Sequence, residues 1–364
     1  MRQMRGLFVV LALAALAACN GSSAASPPTG SVATPSPTPV PTPIQRQLSG
    51  TITEFSVGQR SSDIVAGPDG ALWFTERDVQ RIGRLTTTGT VTEFSAGITG
   101  AASPTSITGG PDGNLWFTEY TGERIGRIRP SGAITEFSAG ITTGPAPNGF
   151  GSGAGPTGIA AGADGNLWFT EFLGNRIGRI TPSGVVTEFS SGLTPQGGLG
   201  AIALGPDGNV WFVESYVDKI GRITPAGAVT EFSAGISKGS GLAGLTRGPD
   251  GNVWFTEAAG NRIGRITPAG AVTEFSSGLT TGGTDPFTGN PNQPNPTGIT
   301  IGPDGNLWFV ESGTDRVGRI TPAGVITEFS AGITKNSQPG AITTGPDGNL
   351  WFTEPTFGKI GRLQ

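Results

Sequence analysis

The carboxylate side chains of this sequence recur at fixed positions instead of forming one cluster. A glutamate follows each Trp-Phe-Thr or Trp-Phe-Val, an aspartate lies in each Pro-Asp-Gly or Ala-Asp-Gly turn, and another glutamate lies in each Thr-Glu-Phe; these make up 21 of the 27 acidic residues. Glutamates of the first kind are Glu76, Glu119, Glu171, Glu214, Glu257, Glu311 and Glu354. A ring of such carboxylates could bind a metal or transfer protons. It could equally form repeated ion pairs with the two basic residues that bracket each Ile-Gly or Val-Gly.

Other kinds of chemistry are excluded by composition. The chain has no histidine and one cysteine, Cys19, so Cys/His zinc sites, Ser-His-Asp triads and intramolecular disulfides cannot form. Any bound metal would therefore be a hard cation held by oxygen atoms. The formal net charge is −4 and no basic patch is present, so we do not expect nucleic acid as a partner.

Seven copies of one motif position the carboxylates. The motif is represented by Gly302-Pro-Asp-Gly-Asn-Leu-Trp-Phe-Val-Glu311, followed by Arg316-Val-Gly-Arg-Ile-Thr-Pro-Ala-Gly324 and Thr327-Glu-Phe-Ser330. The seven tryptophans are spaced by 43, 52, 43, 43, 54 and 43 residues. A period in the forties, made of short β-like runs separated by Gly and Pro, is typical of propeller blades with four strands each.

The strand count predicts how the ring closes. The first Thr-Glu-Phe begins at Thr53, ahead of any tryptophan, and the chain ends at Gln364 in a third strand. Residues 50–56 should then supply the outer strand of the blade built from residues 341–364, which removes an open edge. The sequence predicts an all-β fold over residues 50–364: a seven-bladed β-propeller of four-stranded antiparallel blades, closed by an N-terminal strand.

Residues 1–19 have the pattern of a secretory signal, with Arg2 and Arg5 before a short apolar run. The run ends in Leu16-Ala17-Ala18-Cys19, which resembles the lipobox of bacterial lipoproteins. That resemblance implies lipid attachment at Cys19, export, and anchoring in the cell envelope, at the periplasm or the cell surface. The alternative is an ordinary cleaved signal with a chance cysteine. Residues 20–49 are rich in Pro, Ser and Thr and are predicted to be an extended tether between the membrane and the propeller.

Positions that vary between repeats are the candidates for ligand binding. The turns between second and third strands differ most, and they contain Tyr120, Phe172, Tyr216 and Phe357. Insertions within about 142–155 and 280–296 lie between blades, on the same face as these turns. We therefore predict that this face binds a small molecule, a peptide or a cell-envelope ligand. Drift at tolerant turns would produce the same variation.

One further candidate lies where the first strands begin. Asp63 is the only charged residue among the seven that precede the first-strand Ile or Leu. It could orient a cation or a hydroxyl group, or it could be a solvated residue beside the closing strand.

The whole repeat closely resembles the virginiamycin B lyase (streptogramin lyase) family over residues 50–364. The resemblance implies a seven-bladed propeller and a magnesium-dependent elimination that opens a cyclic depsipeptide at an ester C–O bond. Family members use histidines in Pro-His-Gly-Ile or Pro-His-Ala-Ile segments, together with glutamate near the metal. The corresponding positions here are Thr105, Thr157, Thr297 and Gly340.

Threonine does not titrate near neutral pH, so the acid–base group of that reaction has no evident counterpart. We therefore expect a ligand- or partner-binding module. The alternative is a carbon–oxygen lyase that acts on a streptogramin B or a related substrate, with Mg²⁺ as its cofactor.

Overall fold

The structure is a computed structural model that describes residues 46–144, 152–282 and 292–364. Within these residues, 28 β-strands form seven four-stranded antiparallel sheets. The predicted all-β, seven-bladed propeller is confirmed. Cys19 and residues 1–45 lie outside the described residues, so the lipid attachment and most of the tether stay predictions.

The strands follow one another in chain order with a single exception, the closing strand β1 (Ile52–Ser56). Blade 1 contains β2 (Ile64–Ala66), β3 (Leu72–Glu76), β4 (Arg81–Leu85) and β5 (Val91–Phe94). Blade 2 contains β6 (Pro104–Gly109), β7 (Leu115–Glu119), β8 (Arg124–Ile128) and β9 (Ile134–Phe137). Blade 3 contains β10 (Pro156–Ala161), β11 (Leu167–Glu171), β12 (Arg176–Ile180) and β13 (Val186–Phe189). Blade 4 contains β14 (Leu199–Leu204), β15 (Val210–Glu214), β16 (Lys219–Ile223) and β17 (Val229–Phe232).

The remaining blades repeat this order. Blade 5 contains β18 (Leu242–Arg247), β19 (Val253–Glu257), β20 (Arg262–Ile266) and β21 (Val272–Phe275). Blade 6 contains β22 (Pro296–Ile301), β23 (Leu307–Glu311), β24 (Arg316–Ile320) and β25 (Ile326–Phe329). Blade 7 contains β26 (Ile342–Thr344), β27 (Leu350–Glu354) and β28 (Lys359–Leu363), completed by β1. Short 3₁₀ turns occur at Arg77–Val79 and Pro355–Phe357.

The second strand of every blade is buried along its whole length, because blades cover it on both faces. Each tryptophan donates its indole N–H to the aspartate four residues earlier, as Trp168 does to Asp164 Oδ1 at 3.1 Å. The same ring stacks on the fourth-strand phenylalanine, with 5.5 Å between the centroids of Trp168 and Phe189. The tryptophans are therefore core residues that tie a turn to the outer strand.

A glycine in each third strand makes room for the buried phenylalanine of the second strand. A Cβ built on Gly178 would lie 2.0 Å from Cζ of Phe169. No side chain fits there, which explains why Ile-Gly or Val-Gly occurs in every third strand.

Neighbouring blades are joined by the second basic residue of the repeat. The Arg127 guanidinium covers the Trp116 ring at 5.4 Å and donates to the Pro182 carbonyl of the next blade at 3.0 Å. Equivalent bonds run from Arg179 to Pro225 and from Arg222 to Pro268, both at 2.9 Å. Blades 2, 3, 4, 5 and 7 thus each bind the following blade through a fixed cation.

The N-terminal strand closes the ring as predicted. β1 pairs antiparallel with β28, in a register that runs from Ile52 opposite Leu363 to Ser56 opposite Lys359. Just ahead of β1, Leu48 is buried in the core of the last blade, and Arg46 donates to the Asp347 carbonyl at 2.9 Å. None of the helices among the described residues is long and apolar enough to cross a membrane.

Candidate functional site

The first strands surround a central cavity of about 450 Å³. Its wall includes Thr105, Thr157, Thr297 and Gly340, the four positions that hold histidine in the resemblance described above. The threonine hydroxyls are engaged by the protein itself. Thr105 donates to the Ser103 carbonyl at 3.0 Å, and Thr297 donates to the Gly340 carbonyl at 2.9 Å. Thr297 thus joins blades 6 and 7, whereas the Thr105 bond stays at the entry of blade 2, and neither hydroxyl can transfer a proton near neutral pH.

Among the residues that the structure describes, Asp63 is the only titratable side chain that lines this cavity. One carboxylate oxygen accepts the Ile64 N–H at 2.8 Å, and the other accepts the Ser106 hydroxyl at 2.7 Å and the Ile107 N–H at 2.9 Å. Burial raises the pKa of Asp63, and these hydrogen bonds oppose the rise. The carboxylate therefore orients a hydroxyl, that of Ser106 in the next blade, and connects blades 1 and 2.

Replacement of Asp63 by Asn is expected to lower the free energy of unfolding by about 1–3 kcal/mol. The amide presents one acceptor oxygen where the carboxylate presents two, and its NH₂ group would face donors. Urea unfolding measures the loss, and Ser106→Ala serves as the control that removes only one of the three bonds. A D63N protein as stable as the wild type would contradict this role.

The glutamates that end the second strands lie inside the blades and not at a surface. All seven are fully buried, and burial and then a neighbouring fourth-strand glutamate raise the pKa of most of them, to about 8 for Glu119 and about 9 for Glu171. The basic residue that opens the third strand lies between two carboxylates: Arg124 Nη1 is 3.4 Å from Glu119 and 3.7 Å from Glu136. Arg124 thus forms an ion pair with Glu136 and also contacts the buried Glu119 carboxyl within the same blade.

In blades 2 to 7 the glutamate of the fourth strand also reaches the preceding blade. Glu136 accepts the backbone N–H and the hydroxyl of Thr99, both at 2.6 Å. Glu54 of the closing strand does the same with Thr334, at 2.5 and 2.7 Å. The fourth-strand glutamates of these six blades are thus accounted for by contacts that stabilise the ring.

The described residues do not fit a magnesium site. No three carboxylate or thiol side chains within 46–144, 152–282 and 292–364 come together as a possible ligand set. Asp63 stands alone in the cavity wall and already accepts three hydrogen bonds. Mg²⁺ requires near-octahedral oxygen ligands with at least one available carboxylate, and this cavity does not provide them.

Three predicted aromatic residues meet on one face of the ring. This loop face is formed by the turns between second and third strands and by the connections between blades. The Tyr120 and Phe172 rings lie 6.4 Å apart, and Phe172 meets Tyr216 edge-on at 5.5 Å. Arg77 covers the other side of Tyr120 at 5.4 Å. Four consecutive blades thus contribute one continuous aromatic arc, defined as Arg77, Tyr120, Phe172 and Tyr216.

The other predicted features of the loop face are only partly described. Phe357 lies in the 3₁₀ turn of blade 7 and is 48% exposed; no ring contact joins it to the arc among the described residues. Of the two insertions, 145–151 and 283–291 lie outside the described residues. The sequence-based prediction of this face did not include Arg77. Its position in the repeat could have indicated that it belongs to the site, because Tyr120 and Phe172 occupy the same position in the next two blades.

The fold and the site define a class of protein: a seven-bladed propeller with an arc of aromatic side chains on its loop face and a central cavity in which Asp63 is the one titratable residue among the described lining residues. The profile of the virginiamycin B lyase family matches residues 44–150, 145–288 and 277–364. The chain belongs to this family.

Solved structures agree with this assignment. A streptogramin B lyase is 32% identical with a TM-score of 0.73, and the alignment covers 86% of this chain and 97% of that one. Virginiamycin B lyase from Staphylococcus aureus is 34% identical with a TM-score of 0.74, covering 86% and 99%. A catalytically inactive histidine-to-alanine variant of the S. aureus enzyme, solved with quinupristin, matches equally well. A search of curated proteins found no match.

Proposed function

We propose that this protein is an exported, lipid-anchored binding module that holds a ligand on its loop face without chemical turnover. The observation that carries the proposal is the aromatic arc. Three rings from three consecutive blades are in contact, and Tyr216 remains 58% exposed at one end. Exposed, rigid aromatic side chains with a cation beside them are typical of ligand-binding surfaces.

Comparison with the relatives supports the absence of turnover. The S. aureus enzyme with one histidine replaced by alanine is described as catalytically inactive, and this chain has no histidine at all. The threonines that stand at the family's histidine positions donate to backbone carbonyls. Loss of a general acid–base group commonly costs 10²–10⁴-fold in rate.

The second candidate function is a carbon–oxygen lyase. It is favoured by the near-complete alignment with streptogramin B lyase. Its acid and base would have to come from residues other than histidine, and Asp63 is the only titratable group in the cavity wall. That carboxylate would also have to leave its contacts with blade 2 in order to act.

Incubation of the protein with quinupristin distinguishes the two candidate functions. We expect the purified protein to bind it and to return it intact after incubation with Mg²⁺, as followed by mass spectrometry. Tyr216→Ala should weaken binding about fivefold, because the loss of one aromatic contact costs roughly 1 kcal/mol. Val185→Ala is the matched control, since Val185 is exposed on the opposite face, in the turn between β12 and β13.

The outcomes are distinct. A linear product that forms with Mg²⁺ and disappears with EDTA would overturn the binding-module proposal in favour of the lyase. Binding that Tyr216→Ala and Val185→Ala affect equally would remove the aromatic arc as the binding surface.

A further inference from the structure

A second cavity lies on the loop face where the first and last blades meet. It has a volume of about 230 Å³ and is lined by Arg60, Ser61, Ser62, Arg77, Asp78 and Pro355. Arg77 also belongs to the aromatic arc, so the cavity and the arc are continuous. Ser62 in turn lines the central cavity as well.

The cavity exists because the local structure departs from the repeat. In blades 2 to 6 the first residue after the buried glutamate donates its N–H to the loop that enters the blade, as Tyr120 does to the Ser103 carbonyl at 3.1 Å. The accepting residue has a left-handed backbone, with φ of 51° at Ser103. In blade 1, Arg60 occupies the position of the accepting residue, but its backbone is not left-handed. Arg77 occupies the position of the donating residue and begins a 3₁₀ turn. In blade 7 the donating position is held by Pro355, which has no N–H.

Ser61 is the polar group that points to a ligand. It is 1% exposed, and its hydroxyl has no hydrogen-bond partner among the described residues. The other six blades have proline or leucine at this position, and all six are buried: Pro104, Pro156, Leu199, Leu242, Pro296 and Pro339. A buried hydroxyl without a partner carries a desolvation cost, which the apolar side chains at this position in the other blades avoid. A hydroxyl aligned with a bound acceptor would recover that cost.

The two arginines that line the cavity also differ from the basic residues that recur in every repeat. Arg60 and Arg77 are exposed and form no ion pair within the described residues, whereas the repeated basic residues bind carboxylates or backbone carbonyls. Asp78 adds one negative charge to the lining. Two arginines and one aspartate leave a charge of +1, which matches a carboxylate better than a doubly charged phosphate monoester.

We propose that the cavity of Arg60, Ser61 and Arg77 binds the free carboxylate of a ligand whose aromatic body lies along Tyr120, Phe172 and Tyr216. Arginine binds a carboxylate through two parallel N–H donors, and the Ser61 hydroxyl supplies a further one. The ligand class is then a short aromatic peptide with a free C-terminus, or an aromatic acid of similar size. This inference rests on the proposed binding function and specifies its ligand.

Isothermal titration with two peptides tests it. The probes are acetyl-Tyr-Phe-Tyr with a free C-terminal carboxylate and the same peptide as its C-terminal amide. We expect the carboxylate to bind the wild-type protein at least tenfold more tightly at low salt, with the difference shrinking as ionic strength rises. Arg60→Ala and Ser61→Ala should weaken binding of the carboxylate and leave binding of the amide unchanged.

Arg247→Ala is the control for the loss of one positive charge, because Arg247 is exposed at the end of β18 on the opposite face. Equal binding of both peptides would overturn the carboxylate site and leave the binding face standing. A preference for the carboxylate that survives Arg60→Ala and Ser61→Ala would overturn the site as well. A preference that Tyr216→Ala does not weaken would instead count against the aromatic arc. Failure of both peptides to bind would overturn the carboxylate site, and the quinupristin measurement would still decide the proposed binding function.

Discussion

Deletion of residues 46–56 is expected to lower the midpoint of thermal unfolding by about 10 °C or more and to make the protein self-associate. The deletion removes β1, which supplies the whole outer strand of blade 7. Phe55 then no longer stacks on Trp351, where the ring centroids are 5.2 Å apart, and Leu48 leaves the core of that blade. The exposed edge of β28 becomes a template for pairing with another chain. Differential scanning calorimetry and size-exclusion chromatography measure the two effects.

A point substitution tests the same closure more gently. Phe55→Ala should cost about 3 kcal/mol through the lost stacking and the cavity left behind. Phe94→Ala is the matched control, since Phe94 stacks on Trp73 at 5.4 Å in a strand that a covalent turn joins to its neighbour. Only Phe55→Ala should also increase proteolysis near residue 50, because β1 has no covalent turn to β28. A monomeric deletion variant with the wild-type midpoint would show that the closure is dispensable.

Raising the pH from 6 to 9.5 is expected to destabilise the fold through its buried glutamates. Burial and the adjacent fourth-strand glutamate raise the pKa of Glu171 from 4.5 to about 9, and burial raises that of Glu76 to about 7. A carboxyl with a raised pKa contributes stability that is complete below its unfolded value of 4.5. That contribution is lost as the pH rises through the folded value, because the folded state must then bury a charge.

The aspartates of the turns act in the opposite direction. Burial raises the pKa of Asp164, but hydrogen bonds from Asn166 and Trp168 outweigh it and leave the pKa below the usual value of 3.8. Their contribution is present above that value and is lost as the pH falls. Stability should therefore be greatest near pH 4, between the unfolded values of 3.8 for these aspartates and 4.5 for the buried glutamates.

Two glutamine variants test this profile. The stability gap between Glu171→Gln and the wild type should change by up to about 1.4 kcal/mol per pH unit between 4.5 and about 9. With Glu76→Gln the change should end near pH 7, since the folded pKa is lower there. Urea unfolding at a series of pH values measures both gaps. Gaps that stay constant with pH would show that these carboxyls are ionised in the folded state throughout.

The architecture could be predicted because the repeats allow one blade to be compared with the others. Trp73 and its six counterparts set the period, and the early Thr53-Glu54-Phe55 together with a chain end in a third strand required the closing β1. Both inferences follow from counting the repeats and the strands in the sequence. Antiparallel pairing and burial of Leu-Trp-Phe then follow from strand chemistry.

The site could be predicted only in part, because its contacts form between blades. Tyr120 and Phe172 share a repeat position while Tyr216 lies one residue later in its own turn, so spacing alone does not bring the three rings together. The link from Asp63 to Ser106 also depends on the distance between two first strands. Ser61 is different: its repeat position is apolar in six blades, and comparison of the repeats could have singled it out.

The closing strand sets the order in which the molecule can be completed. β1 is synthesised more than 300 residues before its partner β28, and Ile52 cannot pair until Leu363 has been made. β1 therefore stays unpaired while the six blades between it and β28 are made, and the last sheet can form only once β28 is available. Contacts of such long range slow the final step of folding. Until that step, one sheet of the molecule is still open.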